Sequence, residues 1–235
     1  MKEKTVIEIK KHRPGLWSMD EYENEYEEMK NKIILADCMD IMKDIPDKYF
    51  ELAIVDPPYG NIDAIGLINS NGHSANRKDY KQFKNIAPDE IYFQELKRIS
   101  KNQIIWGGNF FGLKGGYLCW NKEGTAFGEA ELAYCSMFNS VRIYKYTWNG
   151  MIQENMKNKE QRIHPTQKPV ALYRWLLQNY AKPGDKIIDT HSGSGSCAIA
   201  CYLEKFDFLA IEKDADYYKA SVERLDTLRS QGVLF

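Results

Sequence analysis

The sequence lacks the features that mark membrane and secreted proteins. It contains no apolar run near the roughly 18 residues that a membrane span needs. The N-terminal stretch MKEKTVIEIKKHRPG has no apolar core of the length that a signal peptide needs. Both absences predict a protein without a membrane anchor that stays in the cytoplasm of its host.

Cysteine is sparse and forms no recognisable pattern. The five cysteines are Cys38, Cys119, Cys135, Cys197 and Cys201, and no two of them form a CxxC pair. Residues 197 and 201 could share one side of a helix, but zinc would need two further ligands, and none is close in sequence. We therefore expect reduced, buried thiols and no metal site.

An excess of charge of one sign is also missing. The 235 residues carry a net charge of −1, and 43% are hydrophobic, which is typical of a soluble globular protein with one domain. Residues 20–28 hold six acids and no base, whereas residues 76–84 and 142–168 have basic excesses of three and four. These basic segments would suffice for phosphate contacts if they shared a face, although two solvated loops are the alternative.

Strands and helices alternate from Lys32 onward. Apolar runs predict buried strands at residues 32–36, 51–55, 102–107, 186–189 and 208–212, with further strands in GYLCWNK, AELAYCSMF and VRIYKYTW. Helices are predicted at 37–43, 88–100, 169–181 and 197–204, and from 215 onward. Such alternation predicts a doubly wound, mostly parallel α/β sheet over 31–235. Residues 1–30 are interpreted as an appendage with an acidic helix that begins at Ser18.

A glycine loop follows the predicted strand that ends at Asp189. The segment IIDTHSGSGS continues into a helix, and its glycines allow the backbone to approach a ligand closely. About 20 residues on, the next strand ends at Glu212, where an acid can bind the two hydroxyls of a ribose. The loop does not match GxxxxGKS or GxxxxGKT, so a phosphate cradle is not indicated, and a nucleoside cofactor without a phosphate fits better.

A second motif, Asp56-Pro57-Pro58-Tyr59-Gly60, follows the strand ELAIV. A proline-stiffened turn is the structural alternative. Held rigidly at the end of a strand, however, Asp56 and the carbonyl of Pro57 could accept both hydrogens of an exocyclic amine and localise its lone pair. Tyr59 could stack on a base swung out of a duplex, a contact worth roughly 1–3 kcal/mol.

DPPYG, HPTQKP (164–169) and DTHSGSG (189–195), in this order, resemble the amino-group DNA methyltransferases that make N6-methyladenine or N4-methylcytosine. The catalytic motif precedes the glycine loop, as in the circularly permuted, beta-type arrangement of that family. The resemblance covers about residues 32–230. It implies a Rossmann-like methyltransferase fold, S-adenosylmethionine as cofactor, double-stranded DNA as substrate and a homodimer.

The resemblance also assigns residues to roles. It implies Asp56, Pro57, Pro58 and Tyr59 as catalytic. It places Asp37 near the adenosine end of the cofactor and Lys168 with Thr166 at its methionine carboxylate. The implied cofactor-binding residues are Asp37, Asp56, His164, Thr166, Lys168, Asp189, His191, Ser192, Gly193, Ser194, Gly195 and Glu212. His191 departs from the Phe that is common at its position, and a flat imidazole can serve similarly.

DNA recognition falls to a short insertion, around residues 139–163, and to residues 61–87. The candidate DNA-binding residues are Arg77, Lys78, Lys81, Arg142, Lys145, Lys157, Lys159 and Arg162. Asp56 at the head of the motif favours adenine, since N4-cytosine relatives more often carry Ser there. An RNA base or a protein glutamine as acceptor, and a non-catalytic nucleic-acid-binding module, are the alternatives. The minimal recognition segment suits a stand-alone or phage-borne enzyme, and the sequence leaves a restriction partner open.

Overall fold

The computed structural model describes residues 18–60, 85–124, 128–149 and 151–231. The strands are β1 (Lys32–Leu35), β2 (Phe50–Val55), β3 (Ser100–Trp106), β4 (Gly116–Asn121), β5 (Ala130–Cys135), β6 (Val141–Lys145), β7 (Lys186–Asp189) and β8 (Asp207–Glu212). The helices are α1 (Met19–Met29), α2 (Cys38–Met42), α3 (Glu90–Ile99), α4 (Val170–Tyr180), α5 (Ser196–Glu204) and α6 (Ala215–Ser230).

All eight strands form one sheet in the order β1-β8-β7-β2-β3-β5-β4-β6. The first five strands of this order are parallel, β5 is antiparallel to both β3 and β4, and β6 is parallel to β4. The structure confirms the predicted mostly parallel α/β fold. The parallel strands all end at one edge, where open α/β sheets bind their ligands.

Two hydrophobic cores cover the two faces of the sheet. Alternate residues of a buried strand point to opposite faces, so Ile187 of β7 lies in one core and Ile188 in the other. Helices α4 and α5 cover the first face, and α1, α2 and α3 cover the second. Strands buried on both sides explain why the sequence shows apolar runs here instead of alternation.

Helix α1 packs into the second core. Ser18 and Glu21 form a capping box, in which the Ser18 hydroxyl accepts the Glu21 N–H and the Glu21 carboxylate accepts the Ser18 N–H. The buried rings of Tyr22 and Tyr26 lie edge-on to Tyr49, with centroids 4.7 and 5.2 Å away. Residues 19–29, which were expected to form part of an appendage, therefore pack against the sheet.

The described residues bear to different extents on the predictions for basic residues, membrane spans, metal sites and thiols. Arg77, Lys78 and Lys81 lie outside the described residues. Within the described ranges, no helix is long and apolar enough to cross a bilayer, and no group of three or more His, Cys, Asp or Glu side chains could hold a metal ion. All five cysteines are free thiols, but only three are buried, since Cys38 and Cys119 are partly exposed.

Candidate active site

The carboxyl ends of the parallel strands bring the two predicted motifs together. Strand β2 leads into Asp56, and its neighbour β7 ends at Asp189, with Leu52 paired to Ile187 across the two strands. On the other side of β7, β8 ends at Glu212. The Asp-Pro-Pro-Tyr turn and the glycine loop therefore lie side by side, as the sequence predicted.

The glycine loop is shaped by positive backbone angles. Gly193 and Gly195 have φ values of +50° and +74°, which glycine adopts without strain. The Gly193 N–H donates to Oε2 of Glu212 at 2.7 Å, so the acid at the end of β8 holds the loop directly. Ser192 is buried, and its hydroxyl has no hydrogen-bond partner among the described residues. Ser194 binds Ser196 through its hydroxyl at 3.0 Å.

Asp189 and His191 lie at the start of this loop, where β7 ends. Burial raises the pKa of Asp189 to about 8, although one carboxylate oxygen accepts the His191 N–H at 3.0 Å. Burial lowers the pKa of His191 to about 4, so its imidazole is neutral at physiological pH. The ring lies edge-on to Tyr92, with centroids 5.2 Å apart. A neutral, flat ring agrees with the interpretation of His191 as a substitute for an aromatic residue.

Asp37 reaches the same edge from β1. Its side chain caps α2 by accepting the Met39 N–H at 3.0 Å, and its second oxygen lies 3.5 Å from Nζ of Lys213. The Ala36 N–H donates to the backbone oxygen of Glu212 at 3.0 Å. Asp37 and Glu212 are thus adjacent acids at the ends of neighbouring strands.

The HPTQKP segment divides between the two motifs. The ring of His164 lies over the glycine loop, 3.9 Å from where a side chain on Gly193 would begin, and edge-on to Tyr217. Thr166 is exposed and places its hydroxyl 3.1 Å from Nδ1 of His164. Lys168 instead points into the Asp-Pro-Pro-Tyr turn, with Nζ 2.6 Å from Oδ2 of Asp56. Its pairing here is with Asp56, a contact that the resemblance did not imply.

The Asp-Pro-Pro-Tyr turn is internally bonded. The Tyr59 hydroxyl donates to Oδ1 of Asp56 at 2.7 Å. The Tyr59 ring stacks on Phe110, with centroids 5.3 Å apart and an interplanar angle of 22°. Gly107 is in close contact with the ring and has a φ of +69°, and a Cβ there would lie 2.3 Å from Cε1 of Tyr59. Phe110, which is half exposed, was not predicted from the sequence.

A buried cluster of alternating charges surrounds Asp56. Lys168 contacts both Asp56 and Glu131, and Glu131 also pairs with Lys122. Burial raises the pKa of Asp56, with Lys168 acting against it. For Glu131, burial alone would raise the pKa, but Lys168 and Lys122 lower it to about 2. Neither Glu131 nor Lys122 belongs to a motif. The only signal for this cluster in the sequence was an acidic residue within a predicted strand.

A second, mostly buried ion pair connects helix α6 and the glycine loop to the segment before HPTQKP. Nη2 of Arg224 lies 2.6 Å from Oε2 of Glu160, and Nη1 donates to the backbone oxygen of Ser194 at 3.0 Å. The other oxygen of Glu160 accepts the Val170 N–H at the start of α4. Neither Arg224 nor Glu160 was predicted as a site residue, because helix α6 and a polar loop give no motif.

Two buried glutamines bind the backbone of residues 151–163, the segment before HPTQKP that we call the platform. Gln153 exchanges hydrogen bonds with the backbone of Glu160, at 3.0 and 2.8 Å. The side-chain oxygen of Gln167 accepts the Ile163 N–H, and the backbone carbonyl of Gln167 accepts the indole N–H of Trp148. The platform carries the exposed candidates Lys157 and Lys159.

The remaining basic candidates differ in setting. Arg162 donates to the backbone oxygens of His164 and Pro165 beside the glycine edge. Arg142 and Lys145 lie on β6, the far strand of the sheet. There, the Arg142 guanidinium covers the Phe138 ring at 4.2 Å, and Lys145 pairs with Glu123 at 3.3 Å.

Comparison with known proteins gives consistent matches. The sequence profile of the N6/N4 methyltransferase family, described as DNA methylase, matches residues 75–223. Type II methyltransferase M.HinfI of Haemophilus influenzae is 24% identical over 248 residues, which cover 85% of this chain and 69% of that protein. Type II methyltransferase M.HpaI of Haemophilus parainfluenzae is 23% identical over 239 residues, covering 85% and 75%.

Solved structures share the fold at low sequence identity. The M1.HpyAVI–SAM complex superposes with a TM-score of 0.53 at 18% identity and covers 82% of this chain and 98% of that one. PvuII DNA methyltransferase, described as cytosine-N4-specific, gives a TM-score of 0.54 at 11% identity, covering 85% and 91%.

Proposed function

The chain belongs to the N6/N4 DNA methylase family, and on this premise we propose that it transfers a methyl group from S-adenosylmethionine to the N6 amine of adenine in DNA. The observation that carries the proposal is the adjacency of β2 and β7, which brings the Asp56 turn beside the glycine loop. An amine acceptor and a methyl donor need this shared edge.

The residues at the glycine edge fit the proposed cofactor. The adjacent acids Asp37 and Glu212 suit ribose hydroxyls, and the neutral His191 ring suits a flat base or an apolar chain. The buried Ser192 hydroxyl, which has no partner among the described residues, is a donor and acceptor that a ligand can satisfy. Asp189 and His164 complete the set. When bound, S-adenosylmethionine supplies an electrophilic methyl group on a sulfonium, and the C–S bonding electrons return to sulfur as the amine nitrogen forms its bond to carbon.

Asp56 acts on the amine. Each carboxylate oxygen of Asp56 already accepts one hydrogen bond, from Lys168 or from Tyr59, so an incoming amine must share an oxygen with one of them. Accepting an amine hydrogen turns the nitrogen lone pair out of conjugation with the ring. The methylated nitrogen is then a strong acid and loses its extra proton to Asp56 or solvent, so Asp56 need not be a strong base.

The Tyr59–Phe110 stack supports binding of a flipped base. Phe110 is 50% exposed, so part of its ring is accessible to a planar partner. Stacking on an aromatic ring is worth roughly 1–3 kcal/mol per base. This is comparable to the few kcal/mol needed to unpair a base.

The adenine assignment is supported by the aspartate at the head of the motif, since N4-cytosine relatives more often carry Ser. The fold alone does not separate the two, because a cytosine-N4-specific methyltransferase superposes as well as the others. N4-cytosine is therefore the second candidate. We also propose that the DNA backbone follows the platform lysines and Arg162 toward the catalytic turn, and that the enzyme acts as a homodimer.

The deciding experiment is methyl transfer from labelled S-adenosylmethionine to unmethylated DNA and to RNA, followed by nucleoside analysis. We expect label in N6-methyladenine from DNA alone. Label in N4-methylcytosine would change the base, and label in RNA would change the polymer. Asp56→Ala should abolish transfer while calorimetric binding of S-adenosylmethionine survives; unchanged transfer would refute the role of Asp56.

A further inference from the structure

Glu131 is the second residue of β5, and Lys168 links it to Asp56 in the Asp-Pro-Pro-Tyr turn. Its Oε2 is 3.1 Å from Nζ of Lys168, whose other carboxylate partner is Asp56 at 2.6 Å. Its Oε1 pairs with Lys122. The ammonium of Lys168 thus lies between two carboxylates, that of Asp56, which would act on the substrate, and that of Glu131.

The cluster is closed to water at its centre. The Lys168 side chain is 3% exposed, against 16% for Asp56 and 28% for Glu131. A cation this deeply buried keeps its charge only while it stays paired. Burial would lower the pKa of Lys168, but Asp56 and Glu131 together raise it, so Lys168 remains an ammonium.

Two requirements conflict at Asp56. A buried carboxylate needs the charge of Lys168, yet the incoming amine must share the oxygens that Lys168 and Tyr59 occupy. If Asp56 were the sole partner of Lys168, loosening their bond would leave a buried ammonium unpaired, which is costly. Glu131 removes this conflict because it offers Lys168 a second anion within 3.1 Å.

We propose, building on the function proposed above, that Glu131 is a positioning residue for Asp56: it holds Lys168 so that the lysine can yield a carboxylate oxygen of Asp56 to the substrate amine while keeping its own counter-charge. Lys122 neutralises the second charge of this arrangement and is itself seated over the Trp120 ring, 4.8 Å from its centroid. The four side chains sum to zero charge with Lys168 on either carboxylate.

The proposal has a signature in the pH dependence of methyl transfer. Asp56 interacts with Lys168, Glu131 and Tyr59, and with Tyr92 of α3, Tyr173 of α4 and Asp189 of β7. Burial raises the pKa of all three phenols well above 10, and Asp189 is largely protonated below about pH 8. Lys168 and Glu131 are therefore the charges that set the ionisation of Asp56 in acid. Glu131 raises the pKa of Asp56, beside the larger effect of burial, so removing its charge shifts the acid limb to lower pH.

The test is steady-state methyl transfer to unmethylated DNA by wild-type protein and Glu131→Gln, measured from pH 5 to pH 9. We expect kcat to fall about tenfold or more, because Lys168 loses its second carboxylate partner and is then held by Asp56 alone. One hydrogen bond to a charged group contributes a free energy equivalent to about tenfold in rate. The KM for S-adenosylmethionine should stay within about twofold, and the acid limb of kcat should move to lower pH. Glu129→Gln, at an exposed position just before β5, is the matched control.

Glu131→Gln also leaves Lys122 without its carboxylate partner, so Lys122→Gln with Glu131→Gln is the companion variant. If Glu131 served only to neutralise Lys122, the double variant would recover wild-type kcat, and that result would overturn the proposal. An unmoved kcat would overturn it as well, and so would a loss confined to the KM for S-adenosylmethionine, which would assign Lys168 to the cofactor. A wild-type protein that methylates no DNA would instead refute the proposed function.

Discussion

Arg224 on α6 and Glu160 in the platform are joined by a mostly buried ion pair, with Nη2 and Oε2 2.6 Å apart. The same guanidinium binds the backbone oxygen of Ser194 and the hydroxyl of Ser196. Because Glu160 also accepts the Val170 N–H, this one pair ties the glycine loop to the segment that ends in HPTQKP. The shape of the glycine loop thus depends on a residue of α6 that belongs to neither motif.

Arg224→Gln should weaken binding of S-adenosylmethionine. Charged hydrogen bonds are worth about 1.5–3 kcal/mol each, so removing the clamp predicts about ten- to hundredfold weaker binding. Calorimetric titration measures it, with the melting temperature recorded for both proteins. Glu223→Gln, on the exposed side of the same helix, is the control and should bind as wild type. Wild-type affinity in a folded Arg224→Gln would show that the clamp is not needed.

Asp189 should make cofactor affinity depend on pH. Its pKa is about 8 because it is buried, and a bound cation beside it favours the ionised form. Below pH 8, binding must then remove a proton, so affinity should rise up to about tenfold per pH unit and level off above pH 8. The ratio of wild-type to Asp189→Asn affinity isolates the effect, since titration of the ligand is common to both. A ratio constant from pH 6 to pH 9 would contradict it.

Tyr59 has two separable contacts. Tyr59→Phe removes the bond to Asp56 and keeps the ring, so the rate of methyl transfer should fall while DNA binding stays near wild type. Tyr59→Ala removes the bond to Asp56 and also the ring on which Phe110 stacks, so it should also weaken binding to DNA with a mispaired target base, by up to roughly 1–3 kcal/mol. Single-turnover rates and fluorescence anisotropy measure the two effects. Tyr117→Phe, which removes a bond to the Leu113 carbonyl elsewhere, is the control. Equal rates for all three variants would exclude a role for Tyr59.

The platform lysines should contribute to the salt dependence of DNA binding. When a side chain that binds a phosphate is neutralised, the slope of log affinity against log salt becomes shallower by about 0.9. Lys157→Gln and Lys159→Gln should each show this change, whatever the DNA sequence. Lys182 lies just before β7, at the opposite end of the strands, and Lys182→Gln should leave the slope unchanged. If all three variants gave the same slope, the DNA would have to bind at a different surface of the protein.

The strands and helices followed from local sequence patterns. Apolar runs located β2, β7 and β8, and the bounds in the structure differ from the predicted ones by one residue or none at the strand ends. The side-by-side placement of the two motifs followed from strands that end in polar residues at one edge of a parallel sheet. Local sequence patterns were enough for this prediction because the geometry of a parallel sheet places the carboxyl ends of its strands at the same edge.

The partners of Asp56, Tyr59 and the glycine loop could not be found this way. Glu131 reaches Lys168 only because β5 returns antiparallel beside β3, and a strand pattern does not report which neighbour it takes. Arg224 has an ordinary place on an amphipathic helix, and Phe110 follows a strand in an unremarkable turn. Lys168 shows the same limit, since its place in HPTQKP implied a cofactor contact while folding pairs it with Asp56.

The pairing of Leu52 with Ile187 also bears on how the protein is made. A ribosome releases the Asp56 turn long before it has synthesised the neighbouring strand, and closing so long a loop is slow. A nascent chain therefore has the Asp-Pro-Pro-Tyr turn without the glycine loop beside it, and the proposed site is complete only after most of the polypeptide has emerged.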